Sequence, residues 1–164
     1  MARTVLLIDC CVHGEQSRTL KLAQRYLDTL EDVQVNHQKL YELDLAPLSY
    51  EETVERKRTD IAKTFAQADE IVVAAPYWDL SFPSILKVEH VCVTGITFHY
   101  VGYETQGLCK AKKAVYISTA GGFVGAHHMG EEYVQTVFRT MFSIPEFHAI
   151  RCEGLDLPDA DPEA

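Results

Sequence analysis

Short apolar stretches alternate along the chain with segments whose apolar residues recur every three or four positions. Residues 4–9 are continuously apolar between Thr4 and Asp9, which is typical of a strand covered on both faces of a sheet. The next segment, 17–30, places its apolar side chains on one face of a helix: Leu20, Ala23, Leu27 and Leu30, with Tyr26 beside them. The chain therefore opens with a predicted strand–helix unit.

The same alternation continues to the end of the chain. Residues 33–40 alternate between apolar and polar side chains, which predicts a strand near a sheet edge. Residues 49–69 predict a helix capped by Ser49, with its inward face formed by Ile61, Ala62, Phe65 and Ala66. Three more strands are predicted at 70–75, 114–119 and 147–152, and a last helix at 131–142.

Strands that alternate with helices through short loops predict a parallel sheet with right-handed crossovers and helices on both faces. Five strands fit the flavodoxin-like order 2-1-3-4-5, in an α/β fold. A chain of 164 residues can bury one sizeable core. We therefore predict a single domain over residues 1–164.

In such sheets, ligands bind outside the carboxyl ends of the strands, at the point where the strand order reverses. This rule selects three loops, which we call the first loop (10–17), the second loop (76–84) and the third loop (119–128). They are the predicted binding region.

Charge and cysteine content exclude several classes of function. The net charge of −9 argues against binding to nucleic acid or to an anionic membrane surface. We expect no signal peptide and no membrane span, because the opening apolar run is short and ends at Asp9. Five cysteines without a CxxC pair fit neither a disulfide framework nor a zinc site, and they favour a reducing cytoplasm.

The first loop, with sequence CCVHGEQSRT from Cys10, joins a strand to the start of a helix. Ser17 is either a helix cap or, with Gln16 and Thr19, part of a site for an anion, and one residue can do both. The absence of GxGxxG favours a monophosphate over a dinucleotide.

A cysteine phosphatase is a third interpretation of this loop. It would need a thiolate and an Arg that grips the phosphate. Six residues separate Cys11 from Arg18, one more than in the loop of low-molecular-weight tyrosine phosphatases, and the Asp161–Pro162 pair resembles their acid loop only faintly.

The second loop is stiffened by Pro76 and Pro83 and carries three aromatic side chains, Tyr77, Trp78 and Phe82. These rings either pack into the core or form a flat wall for a planar heteroaromatic ligand.

The third loop contains Gly121 and Gly122, which form either a simple turn or a point where the backbone approaches a ligand closely. His127 and His128 are candidate donors to a substrate. No carboxylate joins them at metal-ligand spacing, so no metal is expected.

The segment from residue 68 to 122 resembles the FMN-dependent NADH azoreductases and NAD(P)H–quinone oxidoreductases of the flavodoxin-like superfamily. The shared features are a strand that ends in Pro-x-aromatic, then PSILK, GITFHY, GL, KK and a strand that closes in GG. The later FSIPEFHAIRCEGL resembles the last strand of that family. The resemblance covers most of the chain after about residue 69 and, in addition, the first strand and its loop.

The resemblance implies an enzyme that binds FMN and transfers a hydride from NADH or NADPH to a quinone- or azo-type acceptor, as a homodimer. It assigns Gln16, Ser17 and Thr19 to the FMN phosphate, with Cys10 where many azoreductases carry Ser. Along the isoalloxazine ring it places Pro76, Tyr77, Trp78, Asp79 and Leu80. At the pyrimidine edge it places Thr119, Ala120, Gly121 and Gly122.

The sequence also departs from the family pattern. Glu15 stands where a hydroxyl or neutral residue is usual, Asp79 stands where the family often carries Asn, and Ala120 stands where it often carries Arg. The chain ends at Ala164, so we expect the usual final helix to be missing. These departures keep a rival hypothesis open, a flavodoxin-like binding module that has lost flavin and catalysis.

Overall fold

The protein is described by a computed structural model that covers residues 2–43, 45–47, 49–55, 59–87 and 91–160. Its strands are β1 (Arg3–Asp9), β2 (Val33–Lys39), β3 (Glu70–Ala74), β4 (Phe98–Val101), β5 (Glu104–Gly107), β6 (Lys113–Thr119) and β7 (Glu146–Cys152). Its α-helices are α1 (Arg18–Leu27), α2 (Tyr50–Glu55), α3 (Thr59–Gln67) and α4 (Met129–Thr140). The Asp161–Pro162 pair lies outside the described residues.

Five strands form one sheet in the order β2-β1-β3-β6-β7, and all four neighbouring pairs are parallel. The predicted order 2-1-3-4-5 is thereby confirmed, since β6 and β7 are the fourth and fifth strands of this sheet. The alternating strand β2 lies at an edge of the sheet, as predicted, and pairs with β1. The extent of the domain, 1–164, stays a prediction.

Alternate side chains of the central strands fill two separate cores, one on each face of the sheet. On one face, Val5 and Leu7 of β1 pack with Ala23 and Leu27 of α1. The other face carries a cluster of aromatic rings from α3, α4 and the loop after α4: Phe65, Phe138 and Phe142. The predicted inward faces of the first two helical segments are therefore confirmed, with Ala62 and Phe65 fully buried.

The helical region predicted at 49–69 contains α2 and α3, and residues 56–58 between them lie outside the described residues. Ser49 caps α2 as predicted. The Glu52 N–H donates to Ser49 Oγ at 3.2 Å, and Glu52 Oε2 accepts from the Ser49 N–H at 3.0 Å. This reciprocal pair is a capping box. No helix in the described ranges is both long enough and apolar enough to cross a bilayer.

The hairpin of β4 and β5 was not predicted. Its two strands are antiparallel and turn at Gly102, whose φ of 64° is in the left-handed region that favours glycine. The hairpin is held on the end of α4, because Thr105 Oγ1 donates to the carbonyl of Thr140 at 2.9 Å. Gly107 lies so close to this end that an added Cβ would be 2.1 Å from the Phe142 carbonyl.

Candidate functional site

The three predicted loops meet at the carboxyl edge of the sheet and enclose a cleft of about 400 Å³, which we call the loop cleft. One wall is the first loop with the start of α1, the second is Pro76, Tyr77 and Trp78, and the third is Thr119 with Gly121. Pockets that hold small molecules measure about 300–1,000 Å³. The loop cleft therefore has room for one small-molecule ligand.

Ser17 is the N-cap of α1. Its φ and ψ of −67° and 123° are extended, and its hydroxyl accepts from the Leu20 N–H at 3.3 Å. The first N–H groups of an α-helix have no partner within the helix, and the helix dipole favours an anion beside them. The cap interpretation is therefore confirmed, and because Ser17 also lines the loop cleft, the anion site stays a prediction compatible with it.

The first loop is shaped by a buried carboxylate that the sequence analysis did not single out. Asp9 ends β1 and is 3% exposed. Its Oδ1 accepts from the N–H of Cys11 at 2.8 Å, while its Oδ2 lies 2.8 Å from Nε2 of His37 on the neighbouring strand. Asp9 therefore fixes the backbone at the start of the first loop. In the sequence, it could have been recognised as an acidic residue at the end of an apolar strand.

Two threonines join the first and third loops. Thr19 is 1% exposed, and its Oγ1 lies 2.7 Å from Oγ1 of Thr119 at the end of β6. This contact brings the start of α1 against the third loop. Both hydroxyls border the loop cleft.

The second loop makes a tight two-residue turn. Trp78 and Ser81 exchange two backbone hydrogen bonds of 3.1 and 2.8 Å, and the residues between them have φ values of 51° (Asp79) and 65° (Leu80). Such turns favour Asn-Gly, because two left-handed residues in succession strain any side chain with a Cβ. Strain of this kind clusters at functional sites.

The aromatic side chains of the second loop separate into two groups. Tyr77 and Trp78 line the loop cleft, and the Tyr77 hydroxyl donates to the carbonyl of His127 at 3.0 Å. Phe82 instead packs against the core, with its ring 5.8 Å from that of Tyr133. The core interpretation is thus confirmed for Phe82, while a flat wall formed by Tyr77 and Trp78 stays a prediction.

The third loop is braced by the segment that follows β7. The Leu155 and Asp156 N–H groups donate to the carbonyls of Ala120 and Gly121 at 3.2 and 2.9 Å. A Cβ on Gly121 would lie 2.0 Å from Oδ2 of Asp156, whereas a Cβ on Gly122 would meet nothing within 4 Å. A Cβ at Gly121 would therefore require the Asp156 side chain to move, and the approach of this backbone to a ligand stays a prediction.

Arg18 and Asp156 form an ion pair at the loop cleft that the sequence analysis did not anticipate. Nη2 of Arg18 lies 2.9 Å from Oδ1 of Asp156, and its Nη1 donates to the Leu155 carbonyl at 3.1 Å. Arg18 had a signal in the sequence, because it directly follows the first loop, where a phosphatase would need an Arg to grip the phosphate. Asp156 had no such signal, since it lies beyond the last strand.

The two histidines lie apart from the loop cleft lining. His127 is exposed, while His128 borders a small adjoining cavity with Nε2 at 3.9 Å from Oε1 of Glu153. Glu153 Oε2 also accepts from the Val124 N–H at 2.9 Å. The role of either histidine as a donor stays a prediction.

The residues predicted to bind the cofactor fall into those that line the loop cleft and those that do not. Eight line it: Gln16, Ser17, Thr19, Pro76, Tyr77, Trp78, Thr119 and Gly121. Asp79, Leu80 and Gly122 are exposed neighbours, Ala120 is buried behind the third loop, and Cys10 is fully buried in the core. Glu15 is exposed on the short helical turn Gly14–Gln16, so its carboxylate can remain in solvent.

The cysteines of the first loop do not have the properties of a phosphatase nucleophile. Burial, reinforced by the charge of Asp9, raises the pKa of Cys11 to about 12. Burial also raises the pKa of Cys10 well above its usual value. Since the thiolate is the nucleophilic form, the chemistry of this loop favours anion binding by N–H and hydroxyl groups.

Comparison with known proteins places the chain in a family. The family model described as "Flavodoxin-like fold" matches residues 3–164. The chain belongs to this family. Among solved structures, the FMN-dependent NADH-azoreductase from Bacillus anthracis in complex with FMN superposes with a TM-score of 0.78. It is 19% identical, covers 97% of this chain and 90% of that one, and shows the shared fold.

Curated relatives carry a more specific name. The FMN-dependent NADH:quinone oxidoreductase 2 of Clostridium acetobutylicum is 44% identical over 109 residues, which is 62% of this chain and 54% of that protein. The FMN-dependent NADH:quinone oxidoreductase of Clostridium perfringens is 34% identical over 97% of this chain and 90% of that protein. The match to the Clostridium acetobutylicum protein thus spans about half of that relative's length.

Proposed function

We propose that the protein is an FMN-dependent oxidoreductase that transfers a hydride from NADH or NADPH to a quinone- or azo-type acceptor. The observation that carries this proposal is the composition of the loop cleft. A helix start with hydroxyl groups stands on one side, and the aromatic residues Tyr77 and Trp78 stand on the other. Relatives named FMN-dependent NADH:quinone oxidoreductases support the same conclusion.

The residues present fit the phosphate of FMN. Ser17 is 8% exposed at the cap of α1, beside Gln16 and Thr19, so N–H and hydroxyl donors are concentrated at one end of the loop cleft. An anion at this position is favoured by the helix dipole. We therefore assign this end to the phosphate.

The residues of the second and third loops fit a planar ring. Tyr77 is fixed by its N–H donating to the Thr119 carbonyl at 3.1 Å, while Trp78 stays 38% exposed beside it. Rings of this kind offer a large apolar contact surface. Gly121 lets the third loop's backbone approach the same space.

The chemistry that bound FMN would supply is hydride transfer between the nicotinamide and the acceptor. The chain's own residues would then act by position: they bind the phosphate, orient the ring and exclude water from one of its faces. N–H groups of the second and third loops near Asp79 and Gly121 would stabilise negative charge on the ring. His128 or His127 is the proposed donor to the acceptor.

A homodimer and a cytoplasmic location belong to the same proposal. Exposed apolar side chains surround the second and third loops, including Leu80 at 48%, Phe123 at 79% and Met129 at 56%. A second copy covering them would complete the acceptor side of the cleft. All five cysteines are free, which supports a reducing compartment.

The test is a visible absorbance spectrum of the purified protein, recorded before and after addition of FMN and desalting. We expect retained flavin bands that bleach when NADH or NADPH is added without oxygen and return when a quinone is added. A protein that stays colourless after desalting would contradict the proposal and favour the flavin-free binding module.

A further inference from the structure

The ion pair between Arg18 and Asp156 lies in the wall of the loop cleft where the phosphate is assigned. Arg18 is the first residue of α1, directly after the cap Ser17. Its guanidinium contacts Asp156 Oδ1 at 2.9 Å and the Leu155 carbonyl at 3.1 Å. A guanidinium beside a helix N-terminus is well suited to a phosphate, because its fork of donors matches two phosphate oxygens.

Arg18 is also the one Lys or Arg among the described residues that line the loop cleft. The chain as a whole carries a net charge of −9, so its long-range field repels a phosphate. A local cation is therefore of particular importance for phosphate affinity at this site. In the structure that cation is paired with a carboxylate of the same chain.

The carboxylate of Asp156 is held weakly and has room to leave. The Asp156 side chain is 67% exposed and that of Arg18 is 36% exposed, and exposed ion pairs contribute little stability. The backbone of Asp156 is fixed separately, through its N–H bond to the Gly121 carbonyl at 2.9 Å. Rotation of the side chain can thus free Arg18 without unfolding the segment.

We propose that Asp156 competes with the flavin phosphate for Arg18, so that FMN binds by exchanging the carboxylate for its phosphate. Arg18 makes the loop cleft favour phosphorylated flavin, and the competing carboxylate of Asp156 moderates that preference. Riboflavin, which has no phosphate, offers Arg18 no replacement partner. This inference rests on the proposed function, and it adds Arg18 and Asp156 as the residues that set the choice between the two flavins.

The experiment is calorimetric titration of the full chain, freed of bound flavin, with FMN and separately with riboflavin. We expect D156N to bind FMN about fivefold more tightly than the wild type, a change that corresponds to about 1 kcal/mol for an exposed ion pair. We expect R18Q to bind FMN about tenfold more weakly, because a charge-assisted phosphate contact is lost. Riboflavin affinity should change less than about twofold in both variants.

Two further variants separate partner exchange from simple charge effects. D60N removes one negative charge from the exposed Asp60–Lys63 pair on α3 and should leave FMN affinity unchanged. In the double variant R18Q/D156N, the gain from D156N should shrink, since there is no guanidinium to release. An undiminished gain would mean that Asp156 merely repels phosphate and would overturn the inference.

The outcomes also distinguish this inference from the function on which it rests. If FMN binds but D156N leaves its affinity unchanged, or changes FMN and riboflavin affinity equally, the exchange is wrong and the proposed function stands. If no variant binds either flavin, both are wrong.

Discussion

Two carboxylates, Glu70 at the amino end of the parallel sheet and Asp156 near its carboxyl end, lie in opposite environments. At the amino end, Glu70 of β3 is 1% exposed and is surrounded by partners from three other elements. Its carboxylate contacts Arg3 at 3.3 Å, Lys113 at 3.2 Å and the Tyr26 hydroxyl at 2.6 Å. At the carboxyl end, Arg18 holds a single carboxylate that is largely in solvent.

The difference separates groups that stabilise the fold from groups that remain available to a ligand. Burial, and next the hydrogen bond to Glu70, raises the pKa of Tyr26, so its hydroxyl stays protonated as a donor. Removal of Arg3 or Lys113 would leave the buried carboxylate of Glu70 with less compensation. At the carboxyl end, an incoming anion can replace Asp156 at little cost.

Substitution of Glu70 should have the largest effect on stability. We expect E70A to lower the free energy of unfolding by about 2 kcal/mol, because Lys113, Arg3 and the Tyr26 hydroxyl lose the charged acceptor that they share. Urea denaturation followed by circular dichroism measures this change. FMN affinity of the folded variant should not change, since Glu70 lies at the opposite end of the sheet.

The matched control is E146A, because Glu146 also begins a strand but is exposed. It should alter the free energy of unfolding by less than about 0.5 kcal/mol. Equal losses in E70A and E146A would break the distinction between the buried and the exposed carboxylate.

Two buried cysteines, Cys11 and Cys109, make the stability of the fold depend on pH. The pKa of Cys11 and that of Cys109 are each raised from 9.0 to about 12 by burial. The folded state therefore keeps these protons to higher pH than the unfolded state does. The stability that they contribute is present below about pH 9 and is lost as the pH rises towards 12.

At neutral pH, we expect Cys11 to react with iodoacetamide at least a hundredfold more slowly than a free thiol of pKa about 8.5, because so little thiolate is present. Mass spectrometry of peptides after timed alkylation measures this rate. Rapid alkylation of Cys11, or a phosphatase activity that C11S abolishes, would revive the cysteine phosphatase hypothesis.

The turn of the second loop should give the smallest effect. Leu80 has a φ of 65°, which strains its backbone. A glycine removes that strain, but it also raises the conformational entropy of the unfolded chain, which offsets part of the gain. We expect L80G to be about 0.5 kcal/mol more stable than L80A, whose Cβ retains the strain. Thermal denaturation of the two variants measures the difference, and equal stability would show that the loop carries no strain.

Hydrophobic periodicity predicted the strands, because continuous apolar runs such as residues 71–74 specify buried parallel strands. The rules for open α/β sheets then gave the strand order and the three loops. The β4–β5 hairpin escaped prediction because its exposed strands lack such a run: the pattern 104–107 alternates between exposed and half-buried positions. A search for alternating pairs around Gly102 would have found it.

The candidate site was predictable to the extent that it lies on contiguous loops. Ser17, Tyr77 and Gly121 sit in segments that strand order alone brings together. Arg18 and Asp156 are 138 positions apart, and their contact depends on the path of the chain after β7. No local pattern carries that information.

The most direct test of the account is the FMN affinity of S17D, compared with that of S49D. Ser17 and Ser49 each cap a helix, and Asp is an equally good cap, so both variants should fold. We predict that S17D weakens FMN binding by at least about tenfold, because its carboxylate repels the phosphate, while S49D binds as the wild type does. Unchanged FMN affinity in S17D would contradict the assignment of the phosphate to the start of α1.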